Sequence, residues 1–303
     1  MSQNPIERLR TIRDLIRYAI TRFNKAELFF GHGTDNALDE ATAAVLHVLS
    51  LPHDLPAHFM DAVVTDEEKD EALLLIHRRA TERRPLAYLT NEAWFCGLKF
   101  FVDERVLIPR SPIGELVESG FSPWVQADEV NSVLDMCTGS GCIAIACAYA
   151  FPEARVDAVD ISDAALTITK RNVKSHKLEQ TVAVVKSDLF QQLDATQRYD
   201  LIVTNPPYVD QLEIGAMPAE FRFEPRLGLE SGADGLDAIS EILKRSAEFL
   251  TENGVLIAEV GVSDVALEEK YPDVPFTWLE MEHGGTGVFV LTRQQLTEFG
   301  SYF

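Results

Sequence analysis

The sequence is poor in cysteine, has no long hydrophobic run and is short of positive charge. Its four cysteines, Cys96, Cys137, Cys142 and Cys147, form no CxxC pair. A chain of 303 residues buries enough core to need no disulfide staples, so free thiols are expected. The longest apolar run, Cys142 to Phe151, is ten residues, half of the ~20 that a membrane-spanning helix requires. No transmembrane segment is expected. The N-terminal MSQNPIERLR is polar from its first residues and lacks an apolar stretch before a small-residue cleavage site. It does not read as a signal peptide, which leaves the cytoplasm as the expected compartment. The seven histidines are scattered without the three- or four-residue spacing of helical ligand pairs, and no metal site is expected.

Against 27 Lys and Arg stand 48 Asp and Glu, a formal charge of −21. The imbalance is uneven. Residues 1–90 carry 11 bases and 14 acids, net −3, and residues 91–303 carry 16 and 34, net −18. A surface that grips duplex DNA needs cations to neutralise phosphates, so the C-terminal two-thirds is a poor candidate for it. A cationic partner fits better, although net negative charge also serves solubility. With 46% hydrophobic and 25% charged residues the chain is an ordinary globular one. Disordered and low-complexity classes are excluded, and the length suggests two domains.

Residues 1–86 read as a small helical domain. Ile6, Leu9, Ile12, Ile16, Ile20 and Phe23 recur at intervals of three and four, one face of a helix. Asn36 or Asp39 can open a second helix, carrying Val45, Leu46 and Leu49. Thr65 with Glu68 forms a capping box for a third, which His77, Arg78, Arg79, Arg83 and Arg84 crowd at its C-terminal end before Pro85. Residues 87–110 turn aromatic and β-branched, broken by Gly97 and Asp103, and suggest a β-hairpin linker. Over 111–303, apolar runs at 133–137, 156–159, 181–185, 200–204 and 255–260 alternate with helical stretches at 141–150, 163–174 and 235–250. That alternation predicts an open, mostly parallel α/β sheet with helices on both faces. Segments 274–281 and 286–292 are too close for a crossover helix and should pair antiparallel at an edge.

In such sheets ligands lie outside the carboxyl ends of the strands, so the residues just after each run carry the chemistry. After the first comes Asp135-Met-Cys-Thr-Gly139-Ser-Gly141, whose glycines permit a tight turn into a helix N-terminus and a close approach by a ligand. The same glycines also fit a dinucleotide fingerprint or plain packing. Asp160 follows the second run and can accept from both hydroxyls of a ribose. Asp188 follows the third and can accept from an adenine amino group, with Leu189 or Phe190 packed on the ring. Each acid could instead serve as a helix cap. The fourth run ends in Asn205-Pro206-Pro207-Tyr208. Two prolines remove two backbone donors and bias Asn205 toward an extended conformation. What remains is a pair of acceptors, the Asn205 side-chain carbonyl and the Pro206 backbone carbonyl. A planar NH2 group laid between them could give one N–H to each, with Tyr208 covering its flat face.

Asp135 to Ala144, Asp160, Asp188 and the NPPY tetrad resemble the class I S-adenosylmethionine-dependent methyltransferases, specifically the protein-(glutamine-N5) group. Phe223-Glu-Pro-Arg-Leu-Gly-Leu and Gly232-Ala-Asp-Gly-Leu are similar to two further segments of that group. Two departures stand out. Cys137 occupies the place of the usual first glycine, and Ile108-Pro-Arg-Ser-Pro-Ile-Gly-Glu115 replaces the PRPxTE of the release-factor-modifying branch. With Leu89-Thr-Asn-Glu-Ala-Trp-Phe-Cys96, the latter resembles the branch that methylates a glutamine of large-subunit ribosomal protein three. The resemblance implies a Rossmann-like seven-stranded sheet with an antiparallel edge strand, preceded by a helical substrate-recognition domain. It implies S-adenosylmethionine as cofactor, with contacts from Asp135, Thr138, Gly139, Gly141, Asp160, Asp188, Leu189 and Asn205, and S-adenosylhomocysteine as product. Catalysis is placed on Asn205, Pro206 and Tyr208, and substrate contact on Arg110, Pro207, Tyr208 and Glu224. Arg110 either steers substrate or braces the hairpin. The expected partner is a basic ribosomal protein, before or during ribosome assembly. The alternatives are a release factor and the exocyclic amine of adenine in nucleic acid. Charge argues against adenine: residues 210–237 hold seven acids (Asp210, Glu213, Glu220, Glu224, Glu230, Asp234, Asp237) against Arg222 and Arg226. These acids suggest a docking surface for the basic substrate.

Overall fold

The computed structural model describes residues 5–303; the expectation of a polar start over Met1 to Asn4 lies outside the described residues. The chain divides into two compact units, Met1–Glu92 with Pro218–Phe223, and Ala93–Met217 with Glu224–Phe303.

In the first unit, helices α1 (Ile12–Lys25), α2 (Ala37–Val48) and α3 (Asp66–Glu82) meet on apolar faces, and a short α4 (Leu86–Thr90) follows. The apolar spacing from Ile6 onward does not make one helix. Thr11 caps α1 by accepting from the Asp14 N–H while the Asp14 carboxylate accepts from Thr11, so the chain enters the helix there and Pro5–Arg8 is a separate 3-10 turn. Asn36 caps α2, accepting from Leu38 and Asp39. The expected Thr65–Glu68 capping box opens α3, and Arg83 in a left-handed conformation ends it. The basic end of α3 is not the cationic surface its composition suggests. Arg79 is fully buried, with Nε 2.6 Å from Glu40 Oε1 and Nη2 3.1 Å from the Phe29 carbonyl. Glu220, also buried, faces Arg83 at 2.8 Å and accepts from the Phe29 N–H at 3.0 Å. Two carboxylates and two guanidiniums thus compensate one another inside the helical unit, as buried charge requires.

In the second unit, the hairpin is shorter than the sequence suggests. It comprises β1 (Ala93–Phe95) and β2 (Leu98–Phe100), because Leu86–Thr90 is helical. Cys96 and Gly97 form its tip with φ of 47° and 68°, the two left-handed positions of a type I′ turn. After α5 (Ile113–Glu118), β3 (Ser132–Met136), α6 (Cys142–Ala150), β4 (Arg155–Asp160), α7 (Asp163–Ser175), β5 (Val182–Lys186) and β6 (Tyr199–Thr204) alternate. Then come α8 (Gln211–Ala216), α9 (Asp237–Phe249), β7 (Leu250–Glu259), α10 (Asp264–Lys270), β8 (Thr277–Trp278), β9 (Val288–Thr292) and α11 (Arg293–Glu298). The seven strands run in the order β5-β4-β3-β6-β7-β9-β8, parallel as far as β7 and antiparallel at β7–β9 and β9–β8. β8 is cut to two residues because Pro275 lacks an N–H and Phe276 turns back onto the Val274 carbonyl at 2.9 Å.

Alternate strand residues feed two cores. Val133, Val156, Leu201, Val203, Val255 and Ile257 pack with α5 and α6 on one face. Leu134, Val159, Ile202, Leu256 and Phe289 pack with α9 on the other. Burial on both faces accounts for the unbroken apolar runs. The chain steps outward from β3 to β5 and then returns to place β6 beside β3. This reversal opens a crevice at the carboxyl ends of β3 and β6, where ligands bind in folds of this kind.

Candidate active site

The first wall of the crevice is the turn after β3. Asp135 is buried, and its Oδ2 accepts from Thr138 Oγ1 at 2.5 Å and from the Ala144 N–H at 3.0 Å. Its Oδ1 is buried with no hydrogen-bond partner among the described residues. Burial, with the charge of Asp160 added, pushes the Asp135 carboxyl up to about 7. Thr138 holds the turn through Asp135 and through its own N–H to the Val159 carbonyl, so its hydroxyl is already engaged. Cys137 has φ +62°, a left-handed position that explains why glycine is usual there. The two glycines differ. A Cβ on Gly139 would meet open space, whereas one on Gly141 would lie 2.8 Å from Thr169 Cγ2. Gly139 leaves room for a ligand. Gly141, expected at the cofactor, is required by packing against α7. That helix also holds the loop directly: Thr169 Oγ1 donates to the Gly139 carbonyl and Asn172 Nδ2 to the Ser140 carbonyl, both at 2.8 Å.

The second wall is built from the ends of β4 and β5. Asp160 accepts from the Gly139 N–H at 2.9 Å and the Ser162 N–H at 2.8 Å, and burial raises its carboxyl above the ordinary range. It is not the cap of α7, since Ser162 performs that role. With the Ile161 N–H also turned toward the carboxylate, three of its four lone-pair sites face backbone donors and one remains for a ligand. Asp188 is half-buried, and its Oδ2 accepts from Gln191 Nε2 at 2.8 Å. Of the two apolar residues beside it, Phe190 belongs to the core, stacked on Phe249 with centroids 4.7 Å apart, which leaves the half-buried Leu189.

The NPPY tetrad leaves β6 at the crevice, with Thr204 Oγ1 tied to the Met136 carbonyl at 2.8 Å across to β3. Asn205, Pro207 and Tyr208 are half-buried and Pro206 is buried. Neither the Asn205 side chain nor the Pro206 carbonyl is engaged by a hydrogen bond within the described residues. Two acceptors therefore stand at the strand end. Tyr208 is held from several sides. Its phenol donates to Glu259 Oε1 at 3.2 Å, its carbonyl accepts from Ser263 Oγ at 2.8 Å, and Gly261 packs against its ring. Glu259 ends β7, is 4% exposed, and accepts from Ser111 Oγ at 2.5 Å; burial pushes its carboxyl up to about 7. The sequence reading missed Glu259, Ser111, Gly261 and Ser263. The available signal was an acid directly after the apolar run Val255 to Ala258.

One expected substrate contact, Glu224, is corrected. Glu224 has no exposed side-chain surface and forms a two-pronged pair with Arg110, at 2.5 and 2.8 Å, while also accepting from the Ile108 N–H at 3.1 Å. A carboxylate enclosed in this way cannot reach a substrate. Arg110 is tied to Glu224 by this pair, and its side chain remains 24% exposed. The acidic docking surface shrinks for the same reason. Glu220 and Glu224 are buried against arginines, Glu230 pairs with Arg226 at 3.0 Å and Asp234 with Lys270 at 3.3 Å.

A crevice at a strand-order reversal, with carboxylates at successive strand ends and an NPPY acceptor pair beside them, defines a Rossmann-like methyltransferase. The methyltransferase small domain family matches residues 122–221, which hold all of these groups. Ribosomal protein uL3 glutamine methyltransferases of Neisseria gonorrhoeae and Neisseria meningitidis serogroup B are each 51% identical over 297 residues. The match covers 98% of this chain and 99% and 97% of theirs. This chain belongs to the ribosomal protein uL3 glutamine methyltransferase family. Among solved structures, the hMettl16 catalytic domain in complex with MAT2A 3'UTR hairpin 6 is 20% identical, with a TM-score of 0.52 over 77% of this chain and 84% of that one. At that identity the likeness concerns the fold alone.

Proposed function

We propose that the protein transfers a methyl group from S-adenosylmethionine to the side-chain amide nitrogen of a glutamine in ribosomal protein uL3. The observation that carries this reading is the acceptor pair of Asn205 and Pro206, set beside the turn at Gly139 at the point where the strand order reverses. The residues fit the cofactor. Gly139 leaves an open cradle, Asp160 and Asp188 can accept from ribose and adenine, and the unpartnered Asp135 Oδ1 can accept from an ammonium group. When bound, S-adenosylmethionine supplies an electrophilic methyl on a sulfonium, whose neutral thioether departs as S-adenosylhomocysteine without an acid.

The difficulty lies on the other side of the reaction. An amide lone pair is delocalised into its carbonyl and is a poor nucleophile. Asn205 Oδ1 and the Pro206 carbonyl each accept one N–H of the glutamine amide, fixing its plane and stabilising positive charge that develops on nitrogen. Tyr208 covers the face of that amide. As the nitrogen–methyl bond forms and the methyl–sulfur bond breaks, the now acidic nitrogen releases one N–H proton to solvent. Because none of these side chains needs to change protonation, catalysis is chiefly orientation, which supplies ~7 to 11 kcal/mol in well-placed systems.

The helical unit serves in substrate recognition, and the basic uL3 meets a chain whose residues 91–303 carry a net charge of −18. Its free chain or an assembly intermediate, before rRNA covers it, is the expected substrate form. The test offers radiolabelled S-adenosylmethionine with unmodified uL3, a release factor and DNA in parallel. Label confined to uL3, located on a glutamine by mass spectrometry, is the expected result. Label on the release factor or on adenine would overturn it.

A further inference from the structure

Tyr208 is placed by residues outside the NPPY tetrad. Its phenol meets Glu259 Oε1 at 3.2 Å. The other oxygen of that carboxylate accepts from Ser111 Oγ at 2.5 Å, and Ser111 Oγ accepts in turn from the Ile113 N–H at 3.2 Å, at the start of α5. Below the ring, a Cβ at Gly261 would fall 2.5 Å from Tyr208 Cε2, and the Val260 N–H donates to the Gly287 carbonyl at 2.7 Å. The segment after β7 is therefore pressed against the tyrosine and fastened from behind. Glu259 accepts the hydrogen bond of the phenol and is buried at 4% exposure, with Arg110 and Glu224 as the further charges near the ring. A carboxylate is costly to enclose unless its oxygens are hydrogen-bonded, and here both are bonded to hydroxyls on opposite sides. It acts as a two-ended clamp.

Resting on the glutamine-methyltransferase reading above, we infer that Glu259 is a positioning residue, which holds the Tyr208 ring over the target amide by bridging its phenol to Ser111. Without the bridge the ring is free to turn about its side-chain torsions while the backbone of the tetrad stays in place. The loss therefore falls on turnover and not on cofactor binding. A glutamine keeps the geometry: its carbonyl oxygen accepts from Tyr208 and its amide donates to Ser111 Oγ.

Two measurements test this, one independent of substrate. In protein labelled with 13C at the tyrosine ζ carbon, the Tyr208 resonance, assigned through Tyr208→Phe, should shift in Glu259→Ala and Ser111→Ala. That of Tyr199, whose phenol bonds Asp157 at 2.8 Å, should not. In steady-state assays on uL3, Glu259→Ala should lower kcat at least tenfold with S-adenosylhomocysteine affinity within twofold, and Glu259→Gln should recover to within threefold of wild type. In a Tyr208→Phe background, Glu259→Ala should cost nothing further. An unmoved Tyr208 resonance, losses that multiply in the double variant, or a parallel fall in cofactor affinity would each overturn the inference. Should wild-type protein not label uL3, the proposed function fails, and the resonance still decides the clamp.

Discussion

Replacement of Gly261 by alanine perturbs the tyrosine from the opposite side. Gly261 has φ +50°, and its added Cβ would lie 2.5 Å from Tyr208 Cε2, 2.7 Å from Cζ and 3.1 Å from the phenol oxygen. Carbon atoms in contact need about 3.5 Å, so the ring must retreat by about 1 Å. A displacement of that size at a reacting group can cost ~10²-fold in rate, about 2.7 kcal/mol. The backbone contributes separately, since a left-handed non-glycine residue costs about 1 to 2 kcal/mol. Gly97 separates the two effects: it has φ +68°, and its Cβ would meet nothing within 4 Å. Gly97→Ala carries the strain without the clash. Both variants should lower the thermal midpoint by a few degrees, since ~1 kcal/mol corresponds to about 2 to 4 °C in a domain of this size. Only Gly261→Ala should lose kcat on uL3, with S-adenosylhomocysteine affinity by calorimetry unchanged in both. A Gly261→Ala enzyme within threefold of wild-type kcat, or a Gly97→Ala enzyme equally impaired, would refute the reasoning.

Asn205→Ala should keep cofactor affinity and lose at least tenfold in kcat, and a smaller loss, below ~1.4 kcal/mol, would remove Asn205 from its role as amide acceptor. Asp160→Ala should instead weaken cofactor binding in titration calorimetry, and unchanged affinity would end the ribose assignment. Glu40→Ala deprives the fully buried Arg79 of its 2.6 Å partner. Breaking such a pair costs about 3 to 5 kcal/mol, which should appear in urea unfolding of the helical unit, and a loss below ~1 kcal/mol would show that the guanidinium finds compensation elsewhere. Asp135 titrates near 7 when folded and at its ordinary carboxylate value of 3.8 when unfolded. The folded state therefore holds the proton more tightly, and the stability it lends is present below pH ~4 and lost as pH rises toward 7. Asp135→Asn should flatten that part of the stability profile, and parallel curves for the two proteins would contradict it.

Local patterns carried most of the fold. Strands β3 to β6 and helices α6, α7 and α9 fall within two residues of the apolar runs that announced them, because a strand buried on both faces must be apolar throughout. Asn36 and the Thr65–Glu68 box mark their helix starts through bonds spanning two or three residues, which the sequence displays directly. The NPPY tetrad was equally legible, since prolines act on their own backbone and that of the preceding residue. Tertiary structure alone decided what the charged residues do. Arg79 read as a helix-end cation and Glu220 and Glu224 as docking acids, yet their partners lie 39 to 141 residues away, and pairing removed all three from the surface. Gly139 and Gly141 look alike in sequence, and only the position of Thr169 makes one a packing contact and leaves open space beside the other. The anchoring of Tyr208 by Glu259 and Ser111 was likewise hidden. It joins residues 51 and 148 positions apart, and an ionisable group acquires such a role only when folding closes the distance and excludes water.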